Sequence, residues 1–105
     1  MSERPLSPDV GTRVLFEDDR VKVWLLELAP GQATPWHEHS CDYVFVVTRP
    51  GTARCEYVDG SVEEQIGDPR GSTQYRARDI PHRLINTGSD IYQNIVIELK
   101  VAEPE

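Results

Sequence analysis

His37-Glu38-His39 sets two imidazoles one residue apart, and His82 is the only other histidine in the chain. In a strand, residues i and i+2 point to one face. His37 and His39 are then presented side by side, as adjacent corners of a metal's coordination sphere require. Glu38, between them, should point away. Taken alone the motif has a plainer reading, two histidines on one exposed strand face, so the surrounding residues must decide. Cys41 and Cys55 lack Cys-x-x-Cys spacing and are too few for a disulfide framework, so they read as reduced, partly buried thiols.

The elements that would position these groups are strands. Eight prolines and seven glycines cut the 105-residue chain into short segments. The longer uninterrupted stretches, Thr12 to Ala29, Trp36 to Arg49 and Ser89 to Glu103, show period-two alternation or β-branched runs rather than helical spacing. Val21, Val23 and Leu25 alternate with Lys22, Trp24 and Leu26. Ile95, Ile97 and Leu99 alternate with Asn94, Val96 and Glu98, which places Glu98 on the solvent side. Turns are marked by Pro30-Gly31, Arg49-Pro50-Gly51, Asp59-Gly60, Gly67-Asp68-Pro69 and Thr87-Gly88, with Asp59-Gly60 the cleanest hairpin signal. Short strands with turns about every ten residues predict an all-β sandwich or barrel. Residues 1–10 and 102–105 read as tails around one domain of residues 11–101.

A net charge of −7 with no Lys/Arg cluster argues against nucleic acid or an anionic membrane as partner. No apolar run approaches a membrane span, and the N-terminus carries no apolar signal-peptide core, so the expected location is cytoplasmic.

Gly31, five residues, His37-Glu38-His39 and then Gly51 match the first signature of the cupin family. The second is met by Gly71, His82 and Asn86 in register, with Ala77 and Asp79 where proline and glycine are expected. The chain therefore resembles a small single-domain cupin from about Arg20 to Lys100. Asp42-Tyr43-Val44 and Ile95 to Lys100 look like the small cupins of β-alanine degradation. The resemblance implies a conical double-stranded β-helix, or jelly roll, with a divalent transition metal near one mouth, held by His37, His39 and His82. Fe(II) is the ion it suggests first, with Ni, Mn, Zn, Co and Cu also compatible.

The departure from the family is the missing glutamate. Its expected place falls at Tyr43 or Val44, and neither is a carboxylate. Asp42, beside them, is the candidate fourth ligand or an outer hydrogen-bond acceptor. Three neutral imidazoles leave a divalent ion its full charge, which favours an anionic or chelating ligand. Tyr43, Tyr75 and Arg76 are the candidate catalytic residues, because a phenol or guanidinium turned into the barrel would move a proton or bind a carboxylate. Trp36 is expected at the barrel rim, and Arg83 outside it.

Two functions follow. One is a mononuclear metal oxygenase acting on a small anionic or chelating substrate, with a Lewis-acid isomerase or hydrolase as its variant. The other is a non-catalytic barrel that binds a small molecule or metal. Val14-Leu15-Phe16 would cover a sheet edge, the chain's own or a partner's, and a homodimer is expected.

Overall fold

The computed structural model describes residues 6–100. Within them the chain forms eight strands and no helix: β1 Arg13–Glu17, β2 Val21–Leu28, β3 Tyr43–Arg49, β4 Thr52–Tyr57, β5 Val62–Ile66, β6 Thr73–Arg76, β7 His82–Asn86 and β8 Tyr92–Leu99. Five pair in the order β1-β2-β8-β3-β6 and three in the order β5-β4-β7, each pairing antiparallel. This is the all-β cupin architecture that the motifs imply. At the β4–β5 hairpin Gly60 takes φ 92°, a left-handed turn conformation open to glycine at little cost.

Alternation decides what is inside. Trp24, Leu26 and Leu28 of β2, Phe45 and Val47 of β3, Ala53 and Cys55 of β4, Leu84 of β7, and Tyr92 and Val96 of β8 meet in one core. Each fully buried side chain of the Val, Leu or Phe kind contributes about 1.5–3 kcal/mol. The opposite face of the larger sheet is also apolar. Val23 lies opposite Ile97, Leu25 opposite Ile95, and Val44 and Val46 opposite Ile97 and Ile95, in a row of half-buried cross-strand pairs.

Residues 6–10, expected in a tail, lie on the barrel instead. The Ser7 N–H donates to the Trp36 carbonyl at 2.8 Å, and Val10 is only 2% exposed. The expected tail at 102–105 lies outside the described residues.

The segment between β2 and β3 carries two of the histidines, and it is not a strand. It runs beside β7 like one: Thr34 N–H donates to the Leu84 carbonyl at 2.8 Å, and His37 and His82 exchange both backbone bonds at 2.9 Å. Pro35 interrupts the ladder because it has no N–H to give. Isolated bridges at Ala33 and His37 result. The strand geometry expected for His37-Glu38-His39 is thus corrected to an irregular edge, yet its alternation survives, with His37 and His39 buried and Glu38 exposed.

Candidate metal centre

The backbone pairing of His37 with His82 brings the two histidine-bearing segments together, and the three rings converge. Centroids lie 4.7 Å apart for His37–His82, 5.1 Å for His37–His39 and 5.1 Å for His39–His82. One nitrogen from each ring falls within 4.8 Å of the others. Two nitrogens on one ion stand about 3–4 Å apart for bonds of about 2.0–2.1 Å, so the cluster is close to coordination spacing.

Hydrogen bonding selects the nitrogens. The His37 Nδ1 lies 2.8 Å from the Pro35 carbonyl, which requires the Nδ1–H tautomer and leaves Nε2 free. His39 Nδ1 faces Glu98 Oε2 at 3.6 Å, and His82 Nδ1 is buried without a hydrogen-bonding partner. Burial pushes His37 down to about 4 and His82 down to about 3, with the neighbouring histidines adding to both effects and the Pro35 carbonyl opposing that on His37. Both rings are therefore neutral at physiological pH, the form that coordinates a metal. Three converging buried imidazoles, His37 and His82 neutral and His82 with an unpartnered nitrogen, fit a divalent cation.

The low values carry a stability consequence. Below its ordinary value of 6.5 each histidine would be protonated in the unfolded chain but not in the folded one. Stability is full above that pH and falls as pH drops towards the folded values. For metal-free protein, urea unfolding should lose about 2–4 kcal/mol between pH 6.5 and 5, before the carboxylates contribute. A flat profile across that window would contradict the buried neutral pair.

The carboxylate beside the cluster is Glu98, not Asp42. Glu98 was expected to face solvent, but it is 7% exposed and turned inward. Its Oε1 accepts from Trp24 Nε1 at 2.8 Å while Oε2 faces His39. Burial raises the carboxyl, and the contacts with His39 and Trp24 outweigh this, leaving it below its ordinary value. Glu98 thus faces the Nδ1 side of His39 from just beyond hydrogen-bond length, where a small ring movement would close the contact.

Asp42 is turned away from the rings. It accepts from the Tyr75 hydroxyl at 2.5 Å and from Arg78 N–H at 3.0 Å, which hold it below the usual carboxylate range. Arg78 also donates to the Ser40 carbonyl at 3.1 Å. Asp42 therefore ties the histidine loop to the segment before β7. Tyr75 is 61% exposed and outside the cavity. Arg76 holds Glu63 through two 3.0 Å bonds, so its guanidinium is committed to a protein carboxylate. Tyr43 alone of the three candidate catalytic residues lines the cavity, stacked on His39 at 3.8 Å. Burial pushes its phenol up to about 12, so the metal-free chain keeps it protonated at neutral pH. Trp36 sits beneath Arg83 at 5.0 Å.

The rings open into a cavity of about 50 Å³ lined by Leu26, Phe45, Leu84 and Val96, with Asn94 and Gln65 as polar members. Such a volume holds about three or four waters, well short of the several hundred Å³ usual for a drug-sized ligand.

Two antiparallel sheets enclosing three convergent histidines from the two signature motifs define a cupin. A cupin domain from Bordetella pertussis is similar, with TM-score 0.76 and 30% identity over 96% of this chain and 100% of that one. Residues 8–100 match the model of the auxin-binding protein family, and the chain belongs to that family. It is 36% identical over 92 residues to auxin-binding protein 1 of Arabidopsis thaliana, covering 84% of this chain and 46% of that protein. It is 29% identical over 97 residues to auxin-binding protein T85 of Nicotiana tabacum, covering 87% of this chain and 50% of that protein. The chain spans about half the length of these curated relatives.

Proposed function

We propose that the protein is a metal-binding cupin that takes a small anionic or chelating molecule at a cation held by His37, His39 and His82. The observation that carries this reading is the convergence of three buried imidazoles at the head of one cavity. The relatives named for binding auxin support a small-molecule ligand in a barrel of this family. Among the described residues no carboxylate joins the histidine cluster, so a bound dication keeps most of its charge and favours an anion. The cavity volume restricts that anion to a few heavy atoms.

A catalytic version of the same site is a mononuclear oxygenase. Three facial imidazoles suit Fe(II) among other divalent ions, and such a cation supplies oxygen-activating or Lewis-acid chemistry when bound. Tyr43 then contributes a protonated phenol beside His39. The chain is also proposed to form a homodimer, because edge strand β1 leaves Val14, Leu15 and Phe16 each more than 40% exposed. A monomer by sedimentation at micromolar concentration would reject that assembly.

Metal analysis of protein purified without chelators tests the central reading, with about one equivalent of a divalent transition ion expected. No retained metal, together with no rise in melting temperature on adding Fe(II), Co(II), Ni(II) or Zn(II), would overturn it. Oxygen uptake by Fe(II)-loaded protein over a panel of small chelating acids separates the two versions. Stoichiometric binding without uptake supports the binding barrel.

A further inference from the structure

Asn94 is the polar group that the metal reading leaves unused. It is 4% exposed on the inner face of β8, and its Nδ2 donates to the Tyr92 hydroxyl at 2.9 Å. That bond fixes the amide so that Oδ1, buried and without a hydrogen-bonding partner, is the free end. Asn94 lines the same cavity as the three histidines, among Leu26, Phe45 and Val96. A buried amide oxygen in apolar surroundings is destabilising when unpaired, so a donor is called for there.

The strand register gives its depth. Tyr43 pairs with Glu98 at the level of His39, Phe45 with Val96 one level further in, and Val47 with Asn94 at the next. Four residue steps along the strand separate Glu98 from Asn94, about 13 Å between Cα atoms. Gln65, facing the cavity from β5, is its other carboxamide.

We propose that Asn94 forms a ligand subsite at the inner end of the cavity, accepting a hydrogen bond from the far end of the molecule whose anionic head sits at the histidines. The inference rests on the metal reading and adds the substrate class: a short unbranched carboxylate bearing a terminal hydroxyl or amine. The head neutralises the cation, the chain lies against Phe45 and Val96, and the terminal donor satisfies Oδ1. An unsubstituted carboxylate of equal length leaves Oδ1 unpaired and binds less well.

The test uses Co(II)-loaded full-length protein, whose visible spectrum reports ligand entry without any turnover. Propionate and butyrate are titrated against 3-hydroxypropionate and 4-hydroxybutyrate. At least one hydroxy acid should bind roughly tenfold tighter than its parent, the size of one well-made hydrogen bond. Asn94→Leu should abolish that preference, and Asn94→Ala serves if the leucine variant does not fold. No preference in the wild-type protein, meaning that water suffices for Oδ1, would overturn the proposal, as would a preference that persists in the variants. Failure of Co(II) to give a histidine-ligated spectrum would overturn the metal reading and this subsite with it. An intact spectrum without discrimination overturns the subsite alone.

Discussion

His82→Ala lowers the affinity for a divalent cation by more than about 100-fold, beyond the 10–100-fold typical of losing only an outer partner. The ring it removes is one of three, and the two that remain cannot close the cluster. The fold should survive. His82 holds its place through backbone bonds with His37 that alanine keeps, and its Nδ1 is a buried atom without a partner. Removing that orphan offsets part of the lost packing, so metal-free variant and parent should melt within about 10 °C of each other. What disappears is the rise in melting temperature on adding Co(II) or Zn(II). Differential scanning fluorimetry with and without metal reads both quantities. Retention of one equivalent through dialysis by the variant would remove His82 from the centre.

Glu98→Leu carries the second large effect, and it falls on stability as well as on metal binding. The leucine leaves the Trp24 indole N–H and the His39 Nδ1 facing an apolar group. The one donor that loses a made hydrogen bond is the indole, and leaving it buried without an acceptor costs about 1–3 kcal/mol, or roughly 5–20 °C in melting temperature for a domain of this size. Metal affinity should also fall about 10–100-fold, because His39 loses the carboxylate that faces it. Glu98→Gln separates the two consequences. Its amide oxygen still accepts from Trp24, so most of the stability returns, while the weakened hold on His39 keeps affinity below that of the parent. Chelator competition with Zn(II) measures affinity, and thermal unfolding measures stability. A leucine variant that melts with the parent would show that the carboxylate has no such role.

The histidines were legible because metal ligation constrains both residue type and spacing, and Gly31, Gly51, Gly71 and Asn86 fix the register around them. The all-β fold was legible because Asp59-Gly60 and the other turns punctuate alternating runs. The phase of β8 was not. Ile95, Ile97 and Leu99 look like a core face, and in most antiparallel strands they would be one. Here they face outward against Val23, Leu25, Val44 and Val46, so Glu98 and Asn94 turn in. The clue lay in β2, where Trp24 in the same alternation needs an acceptor for its indole when buried. Asp42 misled for a related reason. Its neighbours in sequence are histidine-bearing, but its oxygens are taken by Tyr75 and Arg78 from across the chain. Partners distant in sequence cannot be read from local pattern.

The indole of Trp24 touches the carboxylate that faces His39, so one side chain separates a fluorophore from the cation site. Occupancy by a paramagnetic ion such as Co(II) or Cu(II) should dim that emission, whereas diamagnetic Zn(II) should shift its wavelength without extinguishing it. The chain thus carries its own optical gauge of loading, and no label is needed to follow an ion entering or leaving in real time.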